Sequence, residues 1–379
     1  MQASFFLDAC RAAGINFYTG VPDSFLRGLC DELFSRYGTD GKHHLVAANE
    51  GGAIGLCAGH YLSTGKPALC YMQNSGLGNA VNPLASLMDP AVYAIPCLLV
   101  IGWRGEPGTK DEPQHVKQGQ ITLGQLDLMG IPYLVLGPET ADQDFLDGFF
   151  ALREAMNRGR PAAVVVRKGA LKTDASPDYG NGNCLPRERA AEVILSLLPE
   201  ESIVVSTTGK LSREIFEIRE RCGEGHQRDF LTVGSMGHAS MIALGIAREK
   251  PDRPVWCIDG DGAFLMHMGS LPVIANSGVR NFYHVVIDNA AHETVGGMPV
   301  CSGHLDLTAI ALASGYRQAA SVSTEEGLAE RVAALCSEPA AGPSLLAVRC
   351  ACGARLDLGR PTTTPIQNRD AFMSFLKEF

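Results

Sequence analysis

The most constraining feature of this chain is an alternation that runs along it twice. Short, wholly apolar runs alternate with stretches whose apolar residues recur at helical spacing. Residues 15–18, 68–72, 97–102, 133–136 and 162–166 predict strands, with helices over 2–13, 24–36, 51–64, 77–88 and 142–157 between them. The pattern restarts with strands at 202–206, 255–258, 283–287 and 345–348. Its helices cover 188–198, 211–219, 237–248, 269–277, 306–313 and 325–336. Strands that are apolar throughout, rather than every second residue, suit a parallel sheet covered by helices on both faces. Segment 169–187 interrupts the pattern with Gly, Pro, Asp and Asn and little apolar content. The expectation is an α/β chain of two doubly wound parallel-sheet domains, 1–170 and 188–379, joined by a linker over 171–187, with no middle domain.

Composition narrows the function classes. The net charge of the 379 residues is -9, and no basic run or stripe stands out, so a nucleic-acid partner is not expected. No apolar run approaches the ~18 residues that would span a membrane. The start, MQASFFLDACRAAG, lacks a basic segment ahead of its apolar stretch, so no secretory leader is expected. The 12 cysteines lie mostly among apolar neighbours, which reads as buried thiols in a reduced, cytoplasmic protein.

Two motifs carry chemistry. In WCIDGDGAFLMH (256–267) an apolar strand runs into Gly260-Asp261-Gly262 and then a helix. Glycines allow close backbone approach to phosphate, a helix start offers N–H groups to it, and an Asp between them can hold a bridging cation. Such a turn is common by itself. In VVIDNAAHETVGG (285–297) a second strand ends at Asp288-Asn289, about one helix and one strand later. Both turns would then lie at the carboxyl ends of neighbouring parallel strands, where open α/β sheets bind ligands. Asp261, Asn289 and a backbone carbonyl just beyond form an oxygen set that suits Mg2+ completed by diphosphate and water.

This pairing resembles the thiamine-diphosphate enzymes, whose signature is a GDG followed by an Asn, often Asn-Asn. Here Asp288 stands at the first of those two positions, and Asn289 matches the second. The resemblance implies that Asp261, Asn289 and the carbonyl of Ala291 hold the metal, with Gly260, Gly262 and Ala263 at the diphosphate turn. It also implies a glutamate reaching a ring nitrogen of the aminopyrimidine. Glu50 fits: it follows the apolar run LVAA and opens a Gly/Ala-rich helix, although an acidic residue at a helix start is also ordinary. Gln73, Asn74, Ser75 and Gly76 in MQNSGLGNAVNPL resemble the family's cofactor-facing turn. In LTVGSMGHASMIALGIA, Gly234, Ser235 and Met236, with Gly237 and His238 nearby, resemble the turn whose bulky apolar residue props the cofactor into its bent form. A core Met at a tight turn is the alternative.

Members with a middle domain are longer. The two-domain form, and the stretches GVPDS (20–24), GWRGEPGTKDEPQHVKQG (102–119), DNAAHETVGG (288–297) and RLDLGRPTTTP (355–365), resemble the branch of phosphonopyruvate and sulfopyruvate decarboxylases. That branch implies decarboxylation of a small anionic 2-oxo acid, 3-phosphonopyruvate first, giving 2-phosphonoacetaldehyde within phosphonate and antibiotic biosynthesis. A phosphonate calls for fixed cationic donors, and arginine's fork suits it. Arg104, Lys110 and Lys117, with His115, are the candidates, in a charged loop able to close over a site, and Ser24 of GVPDS is a further substrate-binding candidate; Arg355 and Arg360 are weaker ones. Asp23, His292 and Glu293 are candidates for the acid and base that handle protons. The resemblance also implies a homo-oligomer, at least a dimer, whose site combines the first domain of one subunit with the second of another. Sulfopyruvate or another small 2-oxo acid is the alternative substrate. A catalytically silent cofactor-binding protein is the alternative of another class, and a nicotinamide-binding Rossmann enzyme lacks its GxGxxG after the first strand.

Overall fold

The computed structural model describes residues 1–337 and 341–378. The chain forms two compact units, 1–178 and 179–379.

In chain order the first unit contains α1 (Ala3–Ala12), β1 (Tyr18–Gly20), α2 (Arg27–Tyr37), β2 (His44–Val46), α3 (Glu50–Thr64), β3 (Ala68–Gln73), α4 (Leu77–Pro83), β4 (Cys97–Gly102), α5 (Pro113–Leu128), β5 (Tyr133–Leu136), α6 (Asp142–Asn157) and β6 (Ala162–Val166). All pairings are parallel, in the order β2-β1-β3-β4-β6-β5. β4 and β6 are buried along their whole length, as expected of strands covered on both faces.

The second unit contains α7 (Arg187–Leu197), β7 (Ile203–Ser206), α8 (Lys210–Cys222), β8 (Asp229–Leu231), α9 (Ala239–Glu249), β9 (Val255–Gly260), α10 (Asp261–Met266), α11 (Ser270–Asn276), β10 (Phe282–Asp288), β11 (Ala291–His292), β12 (Met298–Pro299), α12 (Leu307–Ala313), β13 (Gln318–Val322), α13 (Glu325–Ser337), β14 (Ser344–Arg349) and α14 (Pro365–Glu378). Its sheet is β13-β14-β10-β9-β7-β8, again wholly parallel. Counted from each unit's own first strand, the two orders are the same. In each, the direction of winding reverses between the unit's first and third strands, and ligand crevices of doubly wound sheets open at that switch.

Several elements escaped the sequence pattern, β8, β13, α5 and α14 among them. β8 and β13 are short or weakly apolar. α5 begins where Pro113 takes the first helical position, a place where its missing N–H costs nothing. Segment 102–119 is therefore a short loop plus two turns of helix, not one long loop. α14 packs Phe372 and Phe375 into the core, and Asn368 binds the backbone of β8 twice, accepting from Leu231 N and donating to Asp229 O. The expected helix over 77–88 changes to a π-helical turn at Leu84–Met88, directly after Pro83. Seven cysteines are buried, but Cys184, Cys222 and Cys301 are exposed, against the expectation of interior thiols. Segment 173–186 has no helix or strand, yet it is not loose: Asn181 and Asn183 hydrogen-bond to the carbonyl of Cys350. Among the described residues, no helix is long and apolar enough to cross a membrane.

Candidate functional site

Glu50 owes its place to the residue before it. Asn49 has extended backbone, and its side-chain oxygen accepts from Gly52 N at 2.7 Å, capping α3. Such a cap is worth about 1 kcal/mol and sets where the helix begins. Glu50 therefore takes the first helical position, buried at 6 % exposure. Its Oε2 accepts from Asn79 Nδ2 at 2.9 Å. A Cβ on Gly76 would stand 2.6 Å from Glu50 Cγ and Oε1, so only glycine lets the turn after β3 close against this carboxylate. Burial raises the Glu50 pKa, and the Asn79 hydrogen bond opposes part of that rise. Asn79 went unnoticed in the sequence, because its only signal was its place three residues beyond Gly76. Gly76→Ala should lower turnover at least tenfold while the far-ultraviolet circular dichroism stays unchanged, because it displaces one carboxylate and not the sheet.

Above the ends of β1, β3 and β4 lies a polar network. Asp23 is fully buried; one carboxylate oxygen accepts from Gln73 Nε2 at 2.6 Å and the other from Phe25 N at 2.7 Å. Gln73 in turn accepts from Ser75 Oγ. Burial raises the Asp23 pKa, with Gln73, the Phe25 N–H and Arg104 pulling it back. Asp23, Gln73 and Ser75 thus come together in one network. Asn74 differs: wholly buried, it donates to Arg104 O and Thr122 Oγ1 and accepts from Arg104 N. Its amide holds the backbone of the Arg104 turn.

The cationic candidates also divide. Arg104 donates through NH1 to Ser24 Oγ at 3.0 Å, and lies over the Phe25 ring at 4.9 Å. The rest of its fork grips Asp111, Nε to Oδ2 at 2.8 Å and NH2 to Oδ1 at 2.5 Å. The arginine is held in place, and Asp111 already occupies the face of the guanidinium best shaped for an oxyanion. Lys110 and Lys117 are exposed, and Lys117 stands on α5 rather than in the loop. His115 is buried, and desolvation followed by the nearby Arg104 charge lowers its pKa to about 4. Arg355 is paired with Glu188, Glu217 and Asp357. Its charge is spoken for by helices α7 and α8.

In the second unit the glycine-bracketed turns meet. Met236 Cε would lie 3.2 Å from a Cβ on Gly262, and His292 Cε1 and Nδ1 3.3 and 3.4 Å from it. The Gly260-Asp261-Gly262 turn therefore has Met236 and His292 packed over its second glycine. Gly234, Ser235 and Gly237 all have left-handed backbone, at φ 71°, 49° and 84°. Gly234 N donates to Thr208 Oγ1, and a side chain at Gly237 would strike His267 and approach the carbonyl of Ala263. Burial pushes the His292 pKa down to about 4.

Asp261 opens α10 and is nearly buried, with Oδ1 accepting from Gly262 N at 2.7 Å. Its other oxygen lies 3.0 Å from Ser302 Oγ, which is also 2.8 Å from Asp288 Oδ1. Asp288 Oδ2 is 2.5 Å from Arg349 NH1. Burial, and then the neighbouring Asp288 carboxylate, raise the Asp261 pKa to about 8. Two buried carboxylates joined through one hydroxyl make a setting that a divalent cation would relieve, and all-oxygen donors suit Mg2+. Asn289 is buried beside them; its Oδ1 accepts from Ala291 N and its Nδ2 donates to Glu293 Oε2. Ala290, at φ 53°, makes the left-handed bend that turns the chain from Asn289 into the β11–β12 hairpin beginning at Ala291. Glu293 also takes Lys210 Nζ and Gly353 N. That carboxylate is an anchor of the loop, with little left over to shuttle protons. Ser302 and Arg349 carried no signal in the sequence, since each lies far along the chain from the motif it supports. Below the turn a second buried network holds the strands: His284 Nε2 is 3.5 Å from Asp259 Oδ2, and its Nδ1 is 3.1 Å from Tyr316 OH.

Residues 2–128 match the thiamine pyrophosphate enzyme N-terminal TPP-binding domain, and residues 208–348 match the C-terminal TPP-binding domain. The chain belongs to the thiamine pyrophosphate enzymes. It is 35% identical over 381 residues to a phosphonopyruvate decarboxylase of Streptomyces viridochromogenes, with 96% of this chain and 92% of that protein covered. A phosphonopyruvate decarboxylase of Streptomyces hygroscopicus is 35% identical over 397 residues, covering 100% and 94%. A sulfopyruvate decarboxylase of Methanosarcina acetivorans is 28% identical over 347 residues, covering 86% and 85%.

Proposed function

We propose that this chain decarboxylates 3-phosphonopyruvate to 2-phosphonoacetaldehyde and carbon dioxide, using thiamine diphosphate with Mg2+. The observation that carries the reading is the near-full-length likeness to two phosphonopyruvate decarboxylases, together with a buried Glu50 in one unit and a buried Asp261 in the other. Thiamine diphosphate, when bound, supplies the electron sink for loss of carbon dioxide from a 2-oxo acid.

The chain's own residues do the rest. Glu50, its pKa raised by burial and its carboxylate aligned by Asn79, would hold a proton at a ring nitrogen of the pyrimidine. Asp261, Asn289 and the Ala291 carbonyl would hold the cation, and the Gly260–Ala263 turn with the first N–H groups of α10 would receive the diphosphate. Met236, over Gly262, would support the cofactor's bend. Asp23, with its raised pKa, is suited to exchange a proton with substrate after carbon dioxide leaves, and Gln73 orients it. The Ser24 hydroxyl and the edge of the Arg104 guanidinium that Asp111 leaves open would offer donors to the phosphonate.

His292 is the second candidate for moving protons. With its pKa near 4 the imidazole is neutral at pH 7, so it would serve as a base. His292→Ala should slow turnover at least tenfold while leaving cofactor affinity intact; unchanged turnover would remove it from the mechanism. A homo-oligomer, at least a dimer, is the expected working unit, and full activity of a monomer at nanomolar protein would contradict that. The sulfopyruvate decarboxylase likeness favours sulfopyruvate as the second reading.

Carbon dioxide release from the purified chain, supplied with thiamine diphosphate, Mg2+ and either substrate, tests both. Faster release from phosphonopyruvate supports the proposal. Release from sulfopyruvate alone would keep the chemistry and change the substrate, and release from neither would overturn the reading.

A further inference from the structure

The residue before the candidate ligand Asn289 is an acid, Asp288, and it is completely buried. A second acid, Asp261, is buried beside it, and the two share one Ser302 hydroxyl, at 2.8 and 3.0 Å. One hydroxyl has one proton to donate. Two ionised carboxylates in this setting repel each other, and burial removes the water that would screen them. A compensating charge is therefore expected close by, and Arg349 supplies it.

Arg349 ends β14, and the register sets it directly opposite Asp288, the last residue of β10. Its NH1 lies 2.5 Å from Asp288 Oδ2, and its NH2 donates to Leu305 O at 2.9 Å. The guanidinium is thus tied at two points. Asp288 Oδ1, on the other side, accepts from Ala290 N at 3.2 Å, within the left-handed bend that leads to Ala291. Both oxygens of Asp288 have work on the protein side. The formal charge of Asp288 plus Arg349 is zero, the same as that of a neutral amide at this position.

We propose that Arg349 and Asp288 form a charge-matched positioning pair, which keeps Asp288 out of the cation's coordination and leaves Asp261 as the site's one anionic ligand. This rests on the reading of Asp261 and Asn289 as cation ligands. The pair does not touch substrate. Its effect is electrostatic, on how strongly and with what charge the site holds a divalent ion.

The charge logic gives opposite signs for the two single variants. Asp288→Asn leaves a guanidinium unbalanced beside the cation site and should weaken cation binding at least tenfold. Arg349→Met leaves a second carboxylate unbalanced and should tighten it. The double variant Asp288→Asn/Arg349→Met restores the charge count and should return to within about threefold of wild type, because close pairs couple and their effects do not add. The measurement is free Mn2+ by electron paramagnetic resonance, titrated into protein with thiamine diphosphate and no substrate, so it does not depend on turnover. If both single variants weaken Mn2+ binding and the double is no better, Arg349 is only a packing residue and the proposal falls. No shift in either single variant also overturns it. Should Arg349→Met fail to fold, the loss in Asp288→Asn and its recovery in the double variant still decide. If wild type retains no Mn2+ at all, the cation reading fails, and the proposal with it.

Discussion

Glu50→Gln should lower carbon dioxide release by about 10²–10⁴-fold, the range that a positioned acid or base contributes. The substitution keeps the shape of the side chain and its hydrogen bond with Asn79, since glutamine can still accept there. It removes the group that can exchange a proton. Thiamine diphosphate affinity should change only a few fold, because the turn proposed for the diphosphate and its cation lies in the other unit. The check is kcat against cofactor Kd for wild type and variant. A variant that loses cofactor affinity in proportion to turnover would make Glu50 a binding residue only.

Asp261→Asn should cost the most in cofactor retention. It removes the one anionic ligand proposed for the cation, so thiamine diphosphate should bind at least 100-fold more weakly at a fixed Mg2+ concentration. The same change should make the cofactor-free protein more stable. Asp261 has its pKa raised to about 8 by burial and by Asp288, against about 4 in an unfolded chain. A carboxyl raised in the folded state binds its proton more tightly there. Its contribution is fully favourable below about pH 4 and is lost as pH rises towards 8. Metal-free wild type should therefore lose thermal stability between about pH 5 and 8, and the Asn variant should show a flatter profile. Each ~1 kcal/mol corresponds to about 2–4 °C in a domain of this size. Melting curves in a chelator across that pH range test it, and parallel profiles would show that Asp261 does not carry the strain.

Glu50, Asp261 and Asn289 could be read from the sequence because each sits at the junction of an apolar strand with a helix or tight turn. Strand ends in a parallel sheet are where ligands bind, so a polar residue after such a run announces itself. The supporting residues could not be read this way. Asn79 reaches Glu50 from a different helix, Ser302 reaches Asp261 from a loop beyond a hairpin, and Arg349 reaches Asp288 from the neighbouring strand. The cationic loop shows the converse case. Arg104, Lys110, His115 and Lys117 look like one basic cluster along the chain, yet the structure pairs the first with Asp111, buries the third and turns the lysines to solvent.

Period and punctuation in the sequence alone were enough to determine two parallel-sheet units, the strand ends where chemistry belongs, and the acids and amide placed there. These are local matters, governed by burial along a strand and by which residues can turn or cap a helix. Which charges meet was decided only by tertiary structure. Strand order and register bring Asp288 against Arg349 and leave Asp111 against Arg104, and the state of a carboxylate depends on whatever the fold brings within a few ångströms of it.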